Sequence, residues 1–185
     1  MKSVAQIFGG EAKVKIMRLF VFNPGSVYDA GTVSDRTQER RPLVAREIRN
    51  LHRAGLIRKR AKGYTLNTTY RYLKPLEHFL IDATPISEKE LIKKLARAGT
   101  LKLVLISGVF LHDPEARVDL LVVGDHLKKG ILLHAIESIE AELGKEIRYA
   151  SFETADFNYR LGLYDKLVRD ILDFNHKKIH NRLGI

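Results

Sequence analysis

A helix that runs straight into a hairpin constrains this chain more than any other feature. Residues 42–54 (PLVAREIRNLHRA) set Val44, Ile48 and Leu51 on one stripe and Arg46, Arg49 and Arg53 on another, the spacing of an amphipathic helix. Pro42 suits the first turn, where its missing N–H costs nothing, and Gly55 suits the stop. Residues 56–60 (LIRKR) and 64–67 (YTLN) then read as two short strands around a basic turn at Ala61-Lys62-Gly63. Upstream, Val14, Met17, Phe20 and Val21 share a helical stripe that Asn23-Pro24-Gly25-Ser26 ends, and a short helix is expected over residues 27–35. Three helices followed by a hairpin is the order these signals predict.

The charge falls on the same stretch. The chain of 185 residues carries 32 Lys+Arg against 22 Asp+Glu, a formal net charge of +10. Residues 1–80 hold 16 basic and 6 acidic side chains, and residues 81–185 hold 16 of each, so the whole excess lies in the first part. A basic module joined to a neutral one points to a polyanionic partner, nucleic acid before anionic membrane. No apolar run is long enough for a membrane span, and residues 1–15 lack the apolar core of a secretion signal. With no Cys, disulfides and thiolate zinc sites are excluded. A cytoplasmic protein is the expectation.

The segment REIRNLHRAGLIRKRAKGYTLN resembles the recognition helix and wing of winged helix-turn-helix transcription regulators, over residues 11–70 or so. The resemblance implies double-stranded DNA as partner, with the helix in the major groove and the wing on the adjacent backbone. Arg40 and Arg41 precede the helix N-terminus, where phosphate is favoured; Arg46, Arg49 and Arg53 line its exposed face; Arg58, Lys59, Arg60 and Lys62 lie on the wing. The plainer alternative is a solvated basic face on a protein-interaction module.

Residues 69–80 (TYRYLKPLEHFL) form a connector whose Tyr70, Leu73, Leu76, Phe79 and Leu80 fit packing between domains or against a second copy. Ser87 and Glu90 read as a capping box opening a helix over residues 88–98. Strands are expected at residues 101–111, 118–123 and 146–152, with a plain hairpin turn through residues 112–115 and an amphipathic helix over residues 127–143. Further helices follow before a polar tail, where His176 and His180 are expected on an exposed helix end rather than on zinc.

Ile106-Ser107-Gly108 and Val118-Asp119-Leu120-Leu121-Val122-Val123-Gly124 give this second part a resemblance to minimal nucleotidyltransferases of the polymerase β-like type. The whole chain resembles bacterial winged-helix regulators that carry such a domain. An active member needs Gly-Ser at the first strand end and two Asp at alternate positions on the next, so that both carboxylates face the same Mg²⁺ ions. Asp119 matches the second Asp. Arg117 stands at the place of the first, Ser107-Gly108 reverses the Gly-Ser order, and the Gly108-to-Arg117 segment is short for a phosphate loop. Arg148 stands where the last carboxylate is expected, with Glu146 as its remnant by parity. An Arg117–Asp119 pair would neutralise itself. The resemblance thus implies a vestigial nucleotide or anion site at Ser107, Gly108, Arg117, Asp119 and Arg148, without catalytic residues or metal.

The expected fold class is α+β in two domains: a winged helix-turn-helix over residues 1–68, a connector over 69–86, and a small mixed-sheet nucleotidyltransferase-like α/β domain over 87–185. The expected function is sequence-specific transcriptional regulation, with the second domain an inactive sensor or scaffold and no cofactor. A homodimer and a nucleotide or protein effector are the further partners this reading admits. The alternatives are an active nucleotidyltransferase using Mg²⁺ with a nucleoside triphosphate, and a protein-interaction module of the toxin–antitoxin type.

Overall fold

The computed structural model describes residues 2–83, 86–113 and 115–185, the side chains of residues 2–4 excepted. The chain is mixed α+β and divides into two compact units, Met1–Ser87 with Glu137–Glu146, and Glu88–Ile136 with Ile147–Ile185. The expected connector therefore falls wholly within the first unit. Among the described residues, no helix is long and apolar enough to cross a membrane.

The first unit opens with α1 (Lys2–Phe8), α2 (Glu11–Val21), α3 (Ala30–Thr37) and α4 (Arg41–Arg53), followed by the antiparallel hairpin β1 (Ile57–Arg60) and β2 (Gly63–Leu66). Asp29 caps α3, accepting a hydrogen bond from Thr32 N at 2.7 Å. Pro42 sits in the first turn of α4, and Gly55 takes the left-handed conformation (φ 80°) just past its end. Tyr28 bridges to Tyr64 by two backbone hydrogen bonds, 2.9 and 2.8 Å. Gly63 permits this approach, because a Cβ there would collide with the Tyr28 carbonyl. Val14, Met17, Phe20 and Val21 of α2 meet Val44, Ile48 and Leu51 of α4 in one buried core.

The connector forms α5 (Leu73–Asp82). Pro75 falls in its first turn, where it breaks no hydrogen bond. Leu80 is fully buried in the α2–α4 core, and Tyr70, Leu73 and Leu76 pack against it. Phe79 stays half-exposed and packs on Phe8 in a tilted pair with centroids 5.6 Å apart.

The second unit comprises α6 (Glu88–Leu95), β3 (Thr100–Ile106), a 3₁₀ turn at Gly108–Phe110, β4 (Leu120–Asp125), α7 (Lys129–Leu143), β5 (Tyr149–Glu153), α8 (Thr154–Gly162), α9 (Lys166–Asp173) and β6 (Lys177–Asn181). The last turns of α7, from Glu137 on, belong to the first unit. The sheet order is β5-β4-β3-β6, with β3 antiparallel to both neighbours and β4 parallel to β5 across the α7 crossover. Leu103, Leu105, Leu121 and Val123 of the sheet bury against Phe157 of α8 and Val168 and Ile171 of α9.

Three expectations are corrected. Residues 107–111 leave the sheet as a turn because Gly108 takes φ 51°. The third strand begins at Tyr149, so Glu146 and Arg148 precede it. The tail is a strand, with His180 opposite Val104, rather than a helix end.

Candidate nucleic-acid interface

On α4, burial of Val44, Ile48 and Leu51 forces the opposite face outward, and Arg46, Arg49 and Arg53 are all exposed. Arg40 and Arg41 are exposed at the N-terminus of this helix, which has no side-chain cap. Pro42 has no N–H and Leu43 N donates to Arg40 O at 3.0 Å, so an external acceptor at this end meets chiefly the two arginine side chains. In the hairpin Ile57 is buried while Arg58, Lys59 and Arg60 are exposed in succession. β1 thus presents an exposed basic edge, with exposed Lys62 in the turn, while β2 is held to the unit by the Tyr28 bridge and buries Thr65 and Leu66. All nine cations named from the sequence are thus surface groups of one helix and the hairpin that follows it.

The residues from Arg40 to Lys62 contain a single carboxylate, Glu47. Its side chain is only 4% exposed. It accepts Arg46 Nε at 2.9 Å and Asn50 Nδ2 at 3.2 Å, and Lys13 Nζ lies 3.6 Å away. Burial alone would raise the Glu47 carboxyl, but the Asn50, Arg46 and Lys13 donors outweigh it and hold it below its ordinary range. The acid is neutralised inside the unit and cancels little of the exposed charge. It also anchors Arg46 by Nε, which leaves both terminal nitrogens for an outside acceptor. Arg58 donates to Thr69 Oγ1 at 2.6 Å.

Two charged groups escape an apolar-stripe reading of the helices. Glu47 lies three residues after Val44 and four before Leu51, and Arg18 lies four after Val14 and three before Val21. A charge at these spacings is buried by position, and that is the signal that reveals both. Arg18 is 4% exposed. Its Nε donates to Leu143 O at 3.1 Å, the last carbonyl of α7, and its Nη1 donates to Leu80 O and to Ala83 O at the end of α5. One cation thus closes two helix C-termini, where partial negative charge accumulates. Burial pulls the guanidinium down to about 10, with Glu142 opposing, so it stays charged at neutral pH.

The Asp119 cluster of the second unit is built differently from the expected anion site. Asp119 is 2% exposed and stands just before β4. Its carboxylate accepts four hydrogen bonds: Val109 N at 2.9 Å, Arg148 N at 2.8 Å, Arg148 Nε at 3.0 Å and Arg148 Nη2 at 2.9 Å. Burial would raise its pKa, but the Arg148 side chain and the two backbone donors hold it below the ordinary carboxylate range. Hydrogen bonding to Asp119 raises Arg148 in turn. Ser107 donates its N–H to Asp119 O at 2.9 Å and its hydroxyl to Val118 O. Gly108 lies against the carboxylate so closely that a Cβ would fall on Asp119 Oδ1.

Ser107, Gly108, Asp119 and Arg148 therefore come together, but Arg117 does not. It lies 3.4 Å from Asp170 on α9, so the expected Arg117–Asp119 pair is replaced by Arg148–Asp119. The reason is the register: Asp119 precedes the strand, so alternation along β4 does not govern it. Glu146 accepts Arg36 within the first unit and has no place in the cluster. With four donors on two oxygens, Asp119 has its acceptor capacity filled. Among the described residues, no group of three His, Asp or Glu side chains could hold a metal ion. No family model, curated protein or solved structure matches this chain.

Proposed function

We propose that the chain is a sequence-specific DNA-binding transcriptional regulator whose first unit is a winged helix-turn-helix. In this reading α4 enters the major groove and the β1–β2 hairpin is the wing on the neighbouring backbone. The observation that carries it is the charge arrangement: nine exposed cations on a helix and its hairpin, with the sole acid between them buried and neutralised. The exposed basic edge of β1 and the exposed Arg40 and Arg41 at the α4 N-terminus support phosphate contact on either side of the helix. The second unit is a nucleotidyltransferase-like frame without transferase activity. Saturation of Asp119 by Arg148 and two backbone N–H groups favours that reading over an active enzyme.

The test is the double substitution Arg46→Glu with Arg49→Glu, measured by fluorescence anisotropy on selected duplex fragments. DNA binding is expected to be abolished while the far-UV circular dichroism spectrum stays unchanged. Undiminished affinity in the folded double variant would refute the assignment of α4.

A further inference from the structure

We propose that the α8–α9 edge of the second unit is a homodimer interface on which a second copy of this chain docks about a two-fold axis. Tyr159, Leu163, Tyr164, Leu167 and Phe174 are 68%, 62%, 79%, 40% and 46% exposed. Tyr159 and Leu163 lie four apart at the end of α8, so they share a face. Leu167 lies in the first turn of α9, and Phe174 follows the helix as its extended C-cap residue. Tyr164 lies in the turn between the two helices.

The turn itself is unusual. Asp165 N donates to Arg160 O at 3.0 Å and Tyr164 N to Leu161 O at 3.2 Å, the bonding of a Schellman stop. Its left-handed position favours Gly, yet Tyr164 occupies it with φ 54°. A bulky aromatic is held in a strained conformation while 79% exposed.

Area and charge identify the occupant as a second copy. Taking roughly 200 Å² for each large apolar side chain, the five leave about 600 Å² bare. That sum is most of the ~800 Å² each partner gives to a stable interface. A two-fold contact sets a face against itself, so unpaired charge on it would repel its own copy. Here Arg160 pairs with Asp156 at 3.0 Å and Asp165 at 3.4 Å, Arg169 with Asp173 at 3.9 Å, and Asp170 with Arg117 at 3.4 Å. Lys166 lies about 100° around α9 from Leu167. The face is self-neutral, which suits itself and selects no charged foreign partner.

The test is sedimentation equilibrium of the full chain, independent of DNA. A species of twice the 21.1 kDa monomer mass is expected at micromolar concentration. Leu163→Glu is expected to weaken dimerisation by roughly 100-fold. Tyr164→Gly removes the strained side chain, so it is expected to weaken the dimer while raising the unfolding midpoint, a pair of effects that misfolding would not produce. Ile7→Glu, at a 77% exposed position of the first unit, is the control and is expected to leave the dimer intact. A wild-type monomer at 100-fold higher concentration, or a dimer indifferent to both face variants, would overturn the proposal.

Discussion

Replacing Asp119 by alanine separates a structural carboxylate from a retained metal ligand. In the second unit this side chain terminates two backbone N–H groups, those of Val109 and Arg148, and pairs with the Arg148 guanidinium. Asp119→Ala orphans both N–H groups at about 1–3 kcal/mol each. The Arg148 side chain is 53% exposed and rehydrates, so loss of the ion pair itself adds at most about 1 kcal/mol. The expected loss is about 3–5 kcal/mol. Arg148→Ala leaves both backbone donors in place and is expected to cost only about 1–2 kcal/mol. Urea unfolding followed by far-UV circular dichroism is the assay, since the chain has no Trp to report by fluorescence. Groups kept for metal chemistry are often neutral or costly to stability. An Asp119→Ala variant within about 0.5 kcal/mol of wild type would therefore refute the structural role.

The same cluster sets an acid limit. Because the Asp119 carboxyl is held below its ordinary range, its stabilisation is complete above the unfolded value of about 3.9 and fades as pH falls through the folded value. Arg148→Ala moves the folded value back towards the unfolded one, so the fall in urea midpoint below about pH 5 should be smaller in the variant and level off at higher pH. In the first unit, Gly144→Ala is expected to cost about 2–4 kcal/mol, because φ is 75° and the new Cβ meets Arg18 C at 2.6 Å and Leu19 N at 2.8 Å, backbone that cannot yield; thermal melts check it. Lys59→Ala and Lys62→Ala are each expected to weaken DNA binding equally on all sequences and to lower the slope of log K against log salt by about one unit. A change confined to one base position would instead make that lysine a base reader.

The helices of the first unit are legible in the sequence because their cores rest on local periodicity. Val44, Ile48 and Leu51 lie within two turns of one another, and each is buried as that spacing requires. The second unit depends on pairings that are distant in sequence, and there the reading slips. Parallel pairing of β4 with β5 starts at Leu120 and Tyr149, a register no local pattern reveals, and it moves Arg148 out of the strand and onto Asp119. The polar run KKIHN becomes an edge strand because Leu103–Ile106 offer it a free ladder, not because of its own composition. Helix α7 reads as one amphipathic element, yet its residues from Glu137 on belong with the first unit, where Asn23 Nδ2 donates to Gly144 O at 2.7 Å and Lys15 lies 3.5 Å from Glu142. Polar contacts of this kind leave no periodic trace.

The proposed function requires the α4–hairpin surface to read particular DNA sequences rather than hold any polyanion. Selection of genomic fragments by the purified full chain, repeated from about 50 to 200 mM salt, tests it most directly, because phosphate contacts weaken steeply over that range while base contacts persist. A small set of related fragments that stays enriched at the higher salt is the expected result. Fragments captured without sequence preference and released together as salt rises would contradict it.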